Sequence, residues 1–176
     1  MRVLYRDEST VPESFKGGKV DLVQGNVLNS ADVQKTLEGT DGVVVTLGTR
    51  NKLEPTTELS TGLRNIVDAA KANGLTKISV CLSSFLFWEP EKVPKQFVHL
   101  NKEHQAMLDI TKESGLDFVA ILPPHIANEP SGEHTILHDK SPGRVISKLD
   151  LAKFFVESLD LPEHWRKVCG IAKVGS

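Results

Sequence analysis

Asp41-Gly42-Val43-Val44-Val45-Thr46-Leu47-Gly48 is the stretch that sets the architecture. Three consecutive valines between an Asp-Gly turn and a second glycine do not alternate apolar with polar, and a run apolar on both faces is what a parallel strand covered by helices on both sides requires. Such a strand is expected to lie centrally in its sheet. Toward the N-terminus, residues 2–5 (Arg2-Val3-Leu4-Tyr5) and 19–24 (Lys19 to Gln24) read as strands bounded by turn formers. Asn29-Ser30 offers N-cap oxygens ahead of Val33 and Leu37, and Gly39 stops the short helix that follows. Toward the C-terminus, Leu59, Leu63, Ile66, Val67 and Ala70 fall at helical spacing and predict a helix over 56–72, closed by Asn73-Gly74. Ile78 to Leu82 is a further strand, a helix follows near 95–114, and Phe118 to Leu122 is a strand stopped by Pro123-Pro124. Ser147-Lys148-Leu149-Asp150 matches a capping box, and Ala152, Phe155, Val156 and Leu159 form the apolar stripe expected of a last helix reaching about Asp160.

Strands alternating with helices specify an α/β fold with a parallel sheet, right-handed crossovers and helices on both faces. A chain of 176 residues is expected to form one domain, 1–176. Net charge is −2, with positive residues interspersed among Asp and Glu, so no footprint for nucleic acid is visible. The two cysteines, Cys81 and Cys169, lack C-x-x-C spacing, and neither a disulfide framework nor a thiolate metal site is expected. No apolar run approaches a membrane span, and the expectation is a cytoplasmic monomer without membrane partners.

Ligands of such sheets sit at the carboxyl ends of the strands. Those ends carry Arg6-Asp7, Gly25-Asn26-Val27, Leu47-Gly48-Thr49-Arg50, Ser83-Ser84-Phe85 and Pro123-Pro124-His125. Arg6 suits the 2′-phosphate of NADP, since an arginine at that place makes charge-assisted bidentate bonds; a solvated arginine beside Asp7 is the plainer reading.

The strings Tyr5-Arg6-Asp7, Gly25-Asn26-Val27-Leu28, Leu47-Gly48-Thr49-Arg50-Asn51, Ser84-Phe85-Leu86-Phe87-Trp88, Pro123-Pro124-His125-Ile126 and Arg144-Val145-Ile146-Ser147-Lys148 occur in this order. In order and spacing the chain resembles the NADPH-dependent flavin reductases, also called biliverdin-IXβ reductases. These belong to the atypical short-chain dehydrogenases with an NmrA-like, NAD(P)-binding Rossmann-like sheet. The resemblance implies NADPH as cofactor and hydride transfer to a flavin (FMN, FAD or riboflavin) or to the central methine bridge of a linear tetrapyrrole, as in heme catabolism. By matching position it implies that Arg6 holds the 2′-phosphate, Asn26 and Val27 border the adenine, and Gly48, Thr49 and Arg50 flank ribose and phosphates. Leu47, Pro124 and Ile126 adjoin in the cofactor-binding set, while Ser83 and His125 lie beside nicotinamide and substrate as the catalytic candidates. The family usually carries Asp where this chain has Asn26, which keeps an acceptor and removes a charge.

Tyr5 is the only tyrosine and Ser9 stands four positions later, so the Tyr-x-x-x-Lys proton relay of ordinary short-chain dehydrogenases is impossible. Carbonyl reduction is thereby disfavoured, whereas a reduced flavin or bilin can take its proton from water or a bound acid. Two readings stay open for several residues. Ser83 either donates near the hydride acceptor or caps a turn, and His125 either contacts substrate or is a plain loop hydrogen-bonder. Phe85, Phe87 and Trp88 form an aromatic wall for a planar substrate, anchor their loop, or both. His104 shares a helical stripe with Leu100, Met107 and Leu108 and is expected to be a satisfied, partly buried histidine. His134 and His138 stand four apart in a segment that is not helical, so no metal site is expected from that pair.

The glycine-rich strand-turn-helix that usually opens a dinucleotide fold has no counterpart, for Gly17-Gly18 and Gly39-x-x-Gly42 each precede a strand. Against the family, about 30 residues, one strand-helix half of a crossover unit, are expected to be missing ahead of Met1, with a truncated gene model, an alternative start or a fragment as the simplest cause and a true cofactor-poor relative as the rarer one. The sheet should then show either a gap with unpaired edges between the strand at 2–5 and that at 41–47 or a rearranged order, and grip on pyrophosphate should be weaker. The competing reading is a non-catalytic Rossmann-fold remnant that binds a flavin, a bilin or a protein partner.

Overall fold

The computed structural model describes residues 1–18, 20–50 and 52–176. The expected strand start at Lys19, and the Asn51 that ends the third string, lie outside the described residues. Strand β1 (Arg2–Tyr5) pairs in parallel with β2 (Asp21–Gln24) as a separate ribbon. Helix α1 (Ser30–Leu37) follows, its first turn capped by Asn29 Oδ1, which accepts the Ala31 N–H at 3.0 Å. Then come β3 (Val43–Val45), α2 (Glu58–Ala72), β4 (Lys77–Cys81), α3 (Val98–Glu113) and β5 (Asp117–Leu122). The chain continues through β6 (His125–Ala127), β7 (His134–His138), β8 (Val145–Ser147), α4 (Lys148–Glu157) and β9 (Lys167–Lys173).

The main sheet has the order β3-β4-β5-β9-β7, parallel from β3 to β9, with β7 antiparallel at the far edge; β6 and β8 form a short parallel pair beside it. Successive side chains of a strand point to opposite faces, and β5 serves both. Phe118, Ala120 and Leu122 pack with α1, α2 and α3 residues such as Val33, Leu63 and Met107, whereas Val119 and Ile121 pack with Ile146, Phe154 and Ile171 beneath α4. Fully burying one such side chain contributes about 1.5–3 kcal/mol.

Several expectations change. Val43–Val45 lies at the edge of the main sheet rather than its centre, and Val44 is 39% exposed. Of the two outcomes expected beside it, a gap or a rearranged sheet, the described residues show the first: among them the β1–β2 ribbon is a sheet apart from β3. What ties the ribbon down is Arg2, whose guanidinium donates to the carbonyls of Glu38 (2.6 Å) and Thr36 (3.3 Å) at the C-terminal end of α1. In α4 the buried face is Leu151, Phe154, Phe155 and, just beyond, Ser158, while Ala152 and Val156 face outward. The stripe was one residue out of phase because the side of α4 that meets β5, β8 and β9 is chosen by the sheet, not by the outward valine. The capping box is half made. Ser147 Oγ accepts the Leu149 N–H, but the Asp150 carboxylate accepts from Gly132 N (3.0 Å) instead of from Ser147 N. Helix α3 begins at Val98, after a 3-10 turn at Lys95–Phe97.

Helix α2 takes its N-terminal partner from another helix. Glu103 of α3, 6% exposed, accepts from Ser60 N (3.0 Å) and Ser60 Oγ (2.9 Å). A carboxylate there fills an orphan donor and complements the positive end of the helix.

Candidate functional site

The strand ends come together at one rim. Gly62 of α2 stands where a Cβ would lie 2.7 Å from Val27 Cγ1 and 3.3 Å from Leu47 Cδ1, so only glycine lets the helix approach the loops after β2 and β3 this closely. Asn65 reinforces the junction by donating to the Val27 carbonyl at 2.9 Å. Hydrogen bonds from the Ser9 hydroxyl and backbone N–H hold the Asp7 carboxyl below its ordinary value, with a smaller contribution from the Arg50 guanidinium. Arg50 has φ 52°, a left-handed backbone uncommon outside glycine and asparagine.

At the ends of β4 and β5 the rim deepens into a cleft of about 910 Å³, walled by Ser83, Phe85, Trp88, Pro124 and His125 and closed opposite by the 141–144 segment. Ser83 ends the β4 run and caps the 3-10 turn Ser84–Phe87, its Oγ accepting the Phe85 N–H at 3.3 Å. The capping bond uses an oxygen lone pair and leaves the hydroxyl proton free to donate, so the two readings of Ser83 are compatible. Phe85 meets Trp88 edge to face (5.0 Å between ring centroids) and stacks on Phe97 (5.3 Å). Phe87 instead packs on the core under α2 and α3. The aromatic trio therefore divides into two cleft residues and one anchor.

One proline carbonyl and a two-strand pair fix the next segment. Pro123 O accepts from Ser84 N (3.3 Å), and His125 N donates to Arg144 O (3.1 Å), pinning His125 opposite Val145. The His125 ring is exposed, and Ile126, the next residue, is 47% exposed. Arg144 adds a cation to the cleft that the strand-end reasoning missed, because it lies before β8, far along the chain from the strands it faces. Its place inside the Arg144–Lys148 string was the available signal.

The remaining candidates spread along the rim. Arg6 is exposed at the end of β1, and Gly48 and Thr49 follow β3, with open space where a Gly48 Cβ would stand. Asn26 has its side-chain oxygen engaged by Leu28 N (3.0 Å) and its own N–H given to Asp32 (2.8 Å). Its amide NH2 remains as the polar group it can offer. Burial pushes the Cys81 thiol up to about 12, and burial first, then Asp139, pushes Cys169 up to about 12, so neither is a ready nucleophile. His104 is not satisfied as expected: its Nδ1 is buried with no partner among the described residues, and burial pushes the ring down to about 4.

A nicotinamide dinucleotide suits this arrangement. The cleft is at the large end of small-molecule sites, its apolar wall offers rings for a planar group and Arg144 gives it a cation, while Arg6 and Arg50 are exposed beyond β1 and β3, outside its lining.

The fold is that of an NAD(P)-binding α/β protein of the Rossmann type. The chain matches the family model for NAD(P)H-binding proteins over residues 1–162, and it belongs to that family; NAD(P)H is its cofactor class. Solved structures share the fold at low identity. A candidate NAD-dependent epimerase/dehydratase from Bacillus halodurans is 22% identical with TM-score 0.82, over 98% of this chain and 81% of its own. ChuY, an anaerobilin reductase from Escherichia coli O157:H7, is 15% identical with TM-score 0.80, over 99% and 85%. A wide-type short-chain dehydrogenase/reductase from Veillonella parvula, solved in complex with NADP, is 14% identical with TM-score 0.72, over 99% and 82%. Among the described residues no helix is long and apolar enough to cross a membrane.

Proposed function

We propose that this protein is an NADPH-dependent reductase of planar conjugated acceptors, a flavin or a linear tetrapyrrole. The observation that carries the reading is the cleft wall itself: Phe85 and Trp88 present aromatic surface beside the Ser83 hydroxyl and His125, in a chain with no Tyr-x-x-x-Lys pair. Bound NADPH supplies the hydride. Phe85 and Trp88 stack against the acceptor and exclude water from one of its faces. Ser83, whose Oγ accepts the Phe85 N–H through one lone pair, donates its hydroxyl proton as a hydrogen bond to the acceptor heteroatom that gains negative charge. His125 or solvent delivers the proton that completes reduction. Arg6 favours NADPH over NADH through the 2′-phosphate, with Arg50, Gly48 and Thr49 along the ribose and phosphates, Asn26, Val27 and Leu47 toward the adenine, and Pro124 and Ile126 flanking the nicotinamide.

The test is loss of nicotinamide absorbance with FMN or biliverdin as acceptor, using NADPH and NADH in parallel. Expected outcomes are turnover with a conjugated acceptor, none with simple ketones, and a fall of about 10²-fold in kcat for Ser83→Ala, the size of one lost donor at a developing charge. The divided sheet favours one alternative, a dinucleotide-fold remnant that binds without turnover. Retained NADPH binding with no acceptor reduced selects that alternative.

A further inference from the structure

We propose that His138, His164 and Cys169 form a zinc(II) site outside the cofactor cleft, at the junction of β7, β9 and the turn that leads into β9. The sheet register brings the residues together. His138 and Cys169 are direct cross-strand partners in the antiparallel β7–β9 pair, so both side chains leave the same face. His164 ends the 3-10 turn Pro162–His164 just before β9, and its ring meets Phe154 of α4 edge-on at 5.2 Å, which fixes its orientation. None of the three lines the cofactor cleft.

One nitrogen or sulfur from each residue lies within 4.8 Å of the others. His138 Nε2 is 3.0 Å from His164 Nδ1, and Cys169 Sγ is 4.0 Å from the same nitrogen. A tetrahedral zinc with ordinary Zn–N and Zn–S bonds needs N···N of about 3.3 Å and N···S of about 3.6 Å. Two edges of the triangle thus already stand within a few tenths of an ångström of ligation geometry. The third closes by movement of His138, which is exposed and free to shift. Two imidazoles and a thiol select a borderline d-block cation, since magnesium and calcium take oxygen ligands. Cys169 is the buried floor, His164 is half-buried and His138 is exposed, so the ion enters from solvent and keeps a water in its fourth position.

Binding is a ligand exchange with no redox change. The Cys169 thiol proton passes to solvent as the S–Zn bond forms. The ring that donates in the His138–His164 hydrogen bond changes tautomer, its proton passing through solvent to its other nitrogen, so both rings bind the ion as neutral imidazoles with their single N–H facing away from it.

The full chain is titrated with cobalt(II), then zinc(II), under reducing conditions. Expected are the visible bands of tetrahedral cobalt with a sulfur-to-cobalt charge-transfer band, saturating at one equivalent and displaced by zinc. Cys169→Ser removes the charge-transfer band, and His138→Ala, a surface change that leaves the core intact, weakens zinc at least tenfold. His134→Ala serves as control and changes neither, and thermal melts of each variant without metal verify folding. Absence of the charge-transfer band in the parent, or zinc affinity unchanged in folded His138→Ala and Cys169→Ser, overturns the assignment.

Discussion

The β1–β2 ribbon and the main sheet are built from similar parallel strands, yet they differ in what holds them. Every residue of β5 except Asp117 is buried, and so are the central five of β9, whereas neither ribbon strand has a buried residue. The ribbon is attached by Arg2, by α1 and by loop contacts at Val27; the sheet is fastened by two apolar clusters, one on each face. Stability therefore concentrates in one region, while Arg6, Asn26 and Val27 sit on the other. Elements with few buried contacts open at lower free energy than the global transition.

The largest expected effect attacks the sheet. A Cβ at Gly170, in mid-β9, would lie 2.2 Å from the Lys140 carbonyl oxygen and 2.9 Å from Pro142. Gly170→Ala should cost about 3 kcal/mol in urea unfolding and lower the whole cooperative transition. A change confined to ribbon probes would break the contrast. Next is acid. Because burial holds His104 at about 4 against an ordinary 6.5, the unfolded chain takes up a proton in this interval that the folded chain refuses. Stability is full above about pH 6.5 and declines as pH falls toward 4, by on the order of 2 kcal/mol. Denaturation curves across that range should show the slope in the parent and a flatter profile in His104→Leu. The smallest effect is on the ribbon: Arg2→Ala should cost about 1 kcal/mol and speed hydrogen exchange in β1 and β2, leaving β4, β5 and β9 protected.

The same contrast explains what could be read from the sequence. Strands 77–81 and 117–122 were legible because burial on both faces writes a continuous apolar run, and α2 because its apolar stripe points at one core. Val43–Val45 carries the same signature yet lies at an edge, since strand order is a property of pairing that no local run encodes. Strand β9 went unread although Val168, Cys169, Ile171 and Ala172 are buried, because Gly170 in its middle looks like a breaker. It marks instead a close backbone approach. At the site, Ser83 and His125 were found from strand ends and resemblance, while Arg144 reaches the cleft through the β6–β8 pairing. His134 and His138, the pair that spacing along the chain offers, share only one member with the cluster: His138 finds Cys169 across the ladder and His164 from a turn, separations that spacing along one segment does not reveal.

The carboxylate of Glu103 at the start of α2 also orders events in time. Ser60 and Glu103 are 43 residues apart, with β4 between them, so this bond closes only after the crossover has brought α3 beside α2. Substitution at Glu103 should accordingly quicken unfolding and leave the folding rate nearly unchanged, the kinetic mark of a contact made after the barrier.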